Sequence, residues 1–154
     1  MKKILFAIII AVVGGLSVMC TSAQEKEIAI VAHRGFWNCD AAGSAKNSIA
    51  ALAQAQELGV WGSEFDVNLS EDGVLLVFHD GSVDGKRIEK NPASAFADHR
   101  LKNGERIPVI DEYLEQAKKN PKTMLVYELK KHSCDSVETK AVDASIAKLK
   151  EHGL

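Results

Sequence analysis

The chain has 154 residues, with 19 basic and 21 acidic side chains and a formal net charge of −2 at pH 7. A slightly acidic chain lacks the positive field with which proteins bind nucleic acid or anionic membranes, so both are excluded as partners. Any anionic substrate must therefore be held by local cations.

The N-terminus has the pattern of a secretory signal peptide. Two lysines precede an apolar run over 4–13, and small residues follow at 21–23. A membrane anchor is the alternative, but Gly14 interrupts the run before it reaches the ~20 residues of a spanning helix. We therefore predict an export signal over 1–23, a secreted or periplasmic domain over 24–154, and no stable membrane span after cleavage.

Strand and helix patterns alternate along the rest of the chain. Residues 27–32 are predicted to form a strand buried on both faces, and the next helix is predicted to begin at Ser48 and to end at Gly59. A second strand is predicted from Gly62 to Leu69, and it continues through a turn at 70–73 into a hairpin.

The second half of the chain continues this alternation after a long polar segment. Residues 81–106 show no periodicity and are predicted to be an excursion over one end of the domain. A helix capped by Asp111, a buried strand over 123–128 and an amphipathic helix over 136–151 follow. Strands alternating with helices indicate a parallel α/β fold.

Charged residues follow the predicted parallel strands at their carboxyl ends, where active sites of such folds form. Glu64 and Asp66 are two residues apart on one strand and so share a face, as do Glu128 and Lys130 on the third. Three converging carboxylates would repel one another without a cation between them. Oxygen ligands favour a hard divalent cation, Mg²⁺ or Ca²⁺.

Two histidines and two cations complete this predicted site. His33 follows the first strand, and the hairpin returns His79 towards the same rim. One imidazole could accept a proton from an attacking hydroxyl group while the other donates one to a leaving oxygen, as phosphodiester cleavage requires. Arg34 and Lys130 could hold the phosphate.

The chain contains six motifs in a fixed order: His33-Arg34-Gly35, Asn47-Ser48, Glu64-Phe65-Asp66, Asp72-Gly73, His79-Asp80 and Glu128-Leu129-Lys130. Together they resemble the glycerophosphodiester phosphodiesterase family. The resemblance implies His33 and His79 as the acid–base pair, metal ligation by three carboxylates, and a small-molecule glycerophosphodiester substrate. A related barrel phosphodiesterase, of the sphingomyelinase D or phosphatidylinositol phospholipase C type, and an inactive remnant are the alternatives.

The chain departs from the family pattern in two respects. Ala45-Lys46 stands where the family commonly has Pro-Glu, which concerns the local loop and substrate preference. The family fold is a TIM (β/α)₈ barrel of about 250 residues, whereas this sequence supplies about three strand–helix units and a β-hairpin. We therefore expect the N-terminal part of a barrel, truncated, whose missing C-terminal half would act as its partner.

Other residues are expected to have ordinary surroundings. His99, His132 and His152 are predicted to be solvated, and Trp61 is predicted to lie in the core. Cys39 and Cys134 could form one disulfide in an oxidising compartment, although two free thiols are the simpler interpretation.

Overall fold

The computed structural model describes residues 28–154. The predicted export signal over 1–23 lies outside the described residues and stays a prediction. Within 28–154, no helix is both long enough and apolar enough to cross a membrane.

The elements follow the predicted strand–helix order. Three strand–helix units and a hairpin are present, which confirms the predicted α/β class. The elements are β1 (Val31–Ala32), α1 (Ile49–Leu58), β2 (Gly62–Leu69), β3 (Leu75–Val77), β4 (Ser82–Val83), β5 (Lys86–Arg87), α2 (Ile110–Lys118), β6 (Met124–Leu129) and α3 (Asp135–Glu151), with short 3₁₀ turns at Ile88–Lys90 and Ala93–Phe96.

Strand β2 is the centre of the main sheet. It pairs in parallel with β6 along one edge, and on its other edge with β1 in parallel and with β3 antiparallel. β1 meets the start of β2 at Gly62, whereas β3 meets its end over Val67–Leu69. All eight residues of β2 are buried because neighbours cover both of its edges and both of its faces.

The two faces of β2 have different chemistry because side chains alternate along a strand. Phe65 and Val67 point into the main core between the sheet and the helices. The ring of Phe65 stacks on that of Tyr113 from α2, with centroids 4.5 Å apart. Glu64 and Asp66 lie on the opposite face, where the polar side chains converge.

Helix α1 begins and ends where the sequence predicts. Ser48 is the N-cap, and its Oγ accepts a hydrogen bond from the amide of Ala51 at 2.9 Å. Gly59 ends the helix in the left-handed conformation, with φ of 72°. The carboxylate of Glu105 accepts hydrogen bonds from two further amides of the first turn, so the distant excursion also holds this helix end.

The predicted burial of the outer strands is wrong. β1 has only two residues, and the side chain of Ile30 before it is 61% exposed. Met124 in β6 is 52% exposed, and Trp61, predicted to be core, is 50% exposed. The reason is position in the sheet, since within residues 28–154 both β1 and β6 lie at an edge with β2 on one side only.

The excursion has more structure than its sequence indicates. It forms the β4–β5 hairpin and packs Val83, Ile88 and Phe96 against Leu76 and Ile107 in a second small core. The predicted cap of α2 is also wrong, because this helix begins after Val109 and not at Asp111. The carboxylate of Asp111 instead contacts Lys148 and His152 of the last helix and its end.

The cysteines that the structure describes are free thiols. Cys39 is partly buried and Cys134 is exposed. The disulfide considered from the sequence is therefore not formed.

Candidate active site

Three carboxylates meet on the face of the sheet opposite the helices, as their positions along the strands predict. Glu64 and Asp66 come from β2 and Glu128 from β6, and the register places Asp66 directly opposite Glu128. One oxygen from each carboxylate lies within 4.8 Å of the others, so the three side chains could share a metal ion. Convergence on one face confirms the geometric part of the prediction.

Glu64 has one occupied and one unoccupied oxygen. Its Oε2 accepts a hydrogen bond from the backbone amide of Arg34 at 2.8 Å. Its Oε1 is buried and has no hydrogen-bond partner. Burial raises the pKa of Glu64, and the negative charges of Asp66 and Glu128 add to this effect against the opposing amide bond. This oxygen is buried and unpaired beside two other carboxylates, and a bound cation would supply the partner that it lacks.

Asp66 is the best-held carboxylate of the three. Its Oδ2 accepts a hydrogen bond from Asn47 Nδ2 at 2.9 Å, and its backbone amide donates to Asn47 Oδ1 at 3.2 Å. The guanidinium Nε of Arg34 lies 3.3 Å from the same Oδ2. These contacts fix both the position and the orientation of the carboxylate.

Lys130 links the two strands of the site. Its Nζ donates to Glu128 Oε1 at 2.6 Å and to Asp66 Oδ1 at 3.2 Å. The bond to Glu128, followed by the contact with Asp66, raises the pKa of this ammonium group. The three carboxylates, Arg34 and Lys130 together carry one net negative charge, because three of these groups are negative and two are positive. Such a cluster can accept a divalent cation without a large excess of charge.

The His33-Arg34-Gly35 motif is a tight turn at the end of β1. Arg34 and Gly35 both have left-handed backbones, with φ of 61° and 76°. A Cβ on Gly35 would come within 2.7 Å of Ala51 in α1, so only glycine allows this close approach. The turn directs the Arg34 amide at Glu64, and a non-glycine residue held in this conformation is typical of functional sites.

The two histidines predicted for the site are both accessible to solvent. His33 is 69% exposed, and its Nε2 is 3.9 Å from Glu64 Oε2. His79 is 38% exposed, and its Nδ1 is 2.7 Å from Asp80 Oδ1. Asn68 donates to the carbonyl of Phe78 at 2.7 Å and so fixes the segment that carries His79.

The sequence interpretation missed two residues that organise the site. Asn47 was noted only as part of a motif, although its left-handed backbone, with φ of 59°, is a conformation that asparagine tolerates unusually well. His132 was predicted to be solvated but is buried. No local pattern marks it, because the amide that its ring accepts from, that of Leu69, is 63 residues earlier in the chain.

Where β6 ends, the side chain of His132 replaces the backbone of that strand as the hydrogen-bond acceptor for β2. The amide of Lys130 donates to the carbonyl of Val67, as in a regular parallel ladder. The next donor, the amide of Leu69, bonds instead to His132 Nε2 at 3.0 Å. Because an amide can only donate, Nε2 must be the unprotonated nitrogen, and Nδ1 faces Glu138 Oε2 at 3.2 Å. The imidazole thus ties the loop after Lys130 to β2.

Sequence comparisons relate this chain to known proteins. The profile of the glycerophosphoryl diester phosphodiesterase family matches residues 33–152. A glycerophosphodiester phosphodiesterase of Caldanaerobacter subterraneus is 36% identical over 98 residues, which are 56% of this chain and 39% of that protein. Human glycerophosphodiester phosphodiesterase 1 is 30% identical over 128 residues, 72% of this chain and 36% of the relative.

Solved structures show the same fold. A glycerophosphodiester phosphodiesterase from Parabacteroides distasonis superposes with a TM-score of 0.77 at 41% identity, over 80% of this chain and 51% of that one. A phosphodiesterase from Oleispira antarctica, in complex with the product sn-glycerol-3-phosphate, gives 0.66 at 29% identity, over 81% and 53%. The chain spans about half the length of these structures and little more than a third of the curated relatives. With a profile match over most of its residues, the chain belongs to the glycerophosphoryl diester phosphodiesterase family.

Proposed function

We propose that this protein hydrolyses glycerophosphodiesters to glycerol 3-phosphate and an alcohol with the help of a divalent cation. The observation that carries the proposal is the convergence of Glu64, Asp66 and Glu128, whose oxygens lie within 4.8 Å of one another beside two cationic side chains. The names of the relatives, and the product found in the Oleispira antarctica structure, support the choice of substrate.

The three carboxylates would hold the cation, and their oxygen-only donor set favours Mg²⁺ or Ca²⁺. The buried, unpartnered Oε1 of Glu64 fits this assignment. When bound, such a cation polarises a phosphoryl oxygen and stabilises the charge that develops during the reaction.

Arg34 and Lys130 would bind the phosphodiester. Both already lie against Asp66, at 3.3 and 3.2 Å, so the fold holds them at the site. The carboxylates and these two cations carry one net negative charge, and a divalent ion would change it to one net positive charge. A phosphodiester carries a single negative charge, so the loaded site and its substrate would be electrically matched.

His33 and His79 would transfer the protons. One would remove the proton of the attacking hydroxyl group, and the other would protonate the leaving alcohol oxygen as its bond to phosphorus breaks. Asp80, 2.7 Å from His79 Nδ1, would fix that ring and direct its other nitrogen. Within residues 28–154, the ion pair of His33 is a loose one with Glu64, at 3.9 Å, so this ring is freer than that of His79.

A chelation experiment tests the proposal. Release of glycerol 3-phosphate from sn-glycero-3-phosphocholine and sn-glycero-3-phosphoglycerol would be measured in EDTA, and then with Mg²⁺ or Ca²⁺ in excess. We expect turnover only with the cation, and none for Glu64→Gln. Glu57→Gln, a matched change of an exposed carboxylate on α1, should behave as wild type.

The outcomes separate the alternatives. Full turnover in EDTA would contradict the metal-dependent mechanism. Cleavage of sphingomyelin or phosphatidylinositol in place of the two deacylated diesters would favour a related barrel phosphodiesterase. Absence of any cleavage with the cation present would favour an inactive remnant.

A further inference from the structure

A groove of about 250 Å³ lies between the loop that precedes α1 and the excursion. Its cations are Lys46, Arg100 and Lys102, and Phe78 and Leu101 supply apolar surface. We call this feature the basic groove. Among the described residues that line it there is no carboxylate.

Both walls of the basic groove contain a residue that is next in sequence to a residue of the candidate active site. On one wall, Lys46 is the residue before Asn47, whose amide holds Asp66 at 2.9 Å. On the other wall, Phe78 is the residue before His79. Since consecutive Cα atoms are about 3.8 Å apart, both walls begin one residue from the site. A group attached to the reacting phosphate could therefore extend into the groove.

Two of the three cations are held in place, and the third is unpaired. The Nζ of Lys46 lies 4.6 Å from the centre of the Trp37 ring, which leaves its charge uncompensated. Arg100 uses Nη1 to donate to the carbonyls of Ala97 and His99, so its other donors remain available. Lys102 has no ion pair or hydrogen bond to any described side chain.

The charged neighbours of the groove do not cancel this field. His99 also lines it, and its Nδ1 is 3.0 Å from Asp84 Oδ2, which places one carboxylate beside the three cations. The ring of His99 packs edge-on against Phe78 with centroids 5.8 Å apart, which holds this side of the groove together. In a chain that is slightly acidic overall, three cations beside a single carboxylate make this groove a local basic feature.

We propose that the basic groove binds a second anionic group carried by the head group of the substrate. The preferred class would be glycerophosphodiesters whose alcohol bears a further phosphate, over those with a cationic choline. Its volume is below the ~300–1,000 Å³ of pockets for drug-sized ligands, so it suits one charged substituent and not a whole diester. The inference rests on the proposed function, because it concerns the specificity of the same site.

Binding without turnover tests the groove separately from the chemistry. The full chain in EDTA would be titrated calorimetrically with bis(glycerophospho)glycerol, glycerophosphoglycerol and glycerophosphocholine. The first two share the same central glycerol and differ by one glycerophosphate. Since an exposed ion pair changes affinity by a factor of about 1.4–5, we expect the doubly charged compound to bind tighter by about this factor for each cation that it contacts, and by less at high salt.

Charge reversal at the groove provides the specific control. Lys102→Glu should reduce the ratio of the two affinities at least about threefold. Lys140→Glu on the exposed side of α3 makes the same change in net charge away from the groove and should leave the ratio unchanged. Equal affinities in wild type, or equal effects of the two variants, would overturn the inference.

Turnover with the cation present then separates the two proposals. A higher kcat/KM for bis(glycerophospho)glycerol than for glycerophosphocholine would support both. Hydrolysis of all three compounds with equal kcat/KM would overturn the inference but keep the proposed function. Selective binding without hydrolysis of any compound would overturn the proposed function and keep the groove as an anion site.

Discussion

Truncation of Asn47 should disrupt the site and the fold together. The side chain is 1% exposed and contacts Asp66 twice, by donating to its carboxylate at 2.9 Å and by accepting from its amide at 3.2 Å. In Asn47→Ala the carboxylate loses a neutral donor, and the buried amide of Asp66 loses its acceptor. The backbone at this position is also left-handed, with φ of 59°.

The magnitude follows from these three losses. A hydrogen bond to a charged group contributes about 1.5–3 kcal/mol, and an unsatisfied buried donor costs about 1–3 kcal/mol. A left-handed backbone costs alanine about 1–2 kcal/mol more. Because such contributions do not add fully, we expect Asn47→Ala to lower the free energy of unfolding by about 3–5 kcal/mol. That is a large fraction of the ~5–15 kcal/mol of a typical domain.

Urea unfolding of matched variants would separate the contributions. Asn47→Gly removes the same side chain but accepts the left-handed backbone, so it should be about 1 kcal/mol more stable than Asn47→Ala. Asn47→Asp keeps the shape but replaces the donor with a negative charge facing Asp66, and should also be strongly destabilised. An Asn47→Ala variant within 0.5 kcal/mol of wild type, roughly the range of neutral surface changes, would refute the argument.

Three further predictions concern single side chains. His33→Ala and His79→Ala should each lower turnover by about 10²–10⁴-fold. The melting temperature should not change, because both side chains are accessible to solvent. A variant with near-wild-type turnover would show that the histidine it lacks is not part of the mechanism. Since burial raises the pKa of Glu64, the metal-free protein should gain stability as the pH falls through that raised pKa. Glu64→Gln should abolish both this gain and the rise in melting temperature on adding Mg²⁺ or Ca²⁺. If the variant kept the pH profile of the wild type, Glu64 would not be the source of the gain. His132→Leu should cost about 1–3 kcal/mol by leaving the Leu69 amide unpaired, whereas His132→Gln keeps an acceptor and should lose less, and equal losses in urea unfolding would show that packing alone matters.

The candidate site was predictable because it depends on short-range rules. Alternation along a strand is enough to place Glu64 and Asp66 on one face and Phe65 on the other. The meeting of parallel strand ends at one edge is enough to bring Glu128 to them. Neither rule requires knowledge of the distant parts of the chain, and both are confirmed by the sheet register and by the 4.8 Å cluster.

The burial of the outer strands was not predictable in the same way. The residues around Ile30 and those of β6 are as apolar as a strand covered on both sides, but exposure depends on which neighbours the sheet provides. Within the described chain, β1 and β6 each pair with β2 alone. An apolar pattern therefore shows that a strand could be buried, but it does not show whether a neighbouring element covers the strand.

His132 shows the same limit for a polar residue. Its neighbours Lys131 and Ser133 are polar, so the local sequence is typical of a solvated loop. Its acceptor nitrogen bonds to Leu69, 63 residues earlier, and this bond exists only because β6 ends three residues before the histidine. A side chain that completes a ladder is recognisable only once the register of the strands is known.

The arrangement of charges indicates how the fold can form before any cation is bound. Three carboxylates held this closely would strongly disfavour folding if they faced only one another. Arg34 and Lys130 both contact Asp66, and Lys130 also bonds to Glu128, so these two carboxylates are compensated by the chain itself. Glu64 is the exception, since one of its oxygens is buried without a partner and its pKa is raised. The remaining electrostatic cost is thus concentrated on the residue where a cation would relieve it most, so a bound cation would stabilise the fold through Glu64.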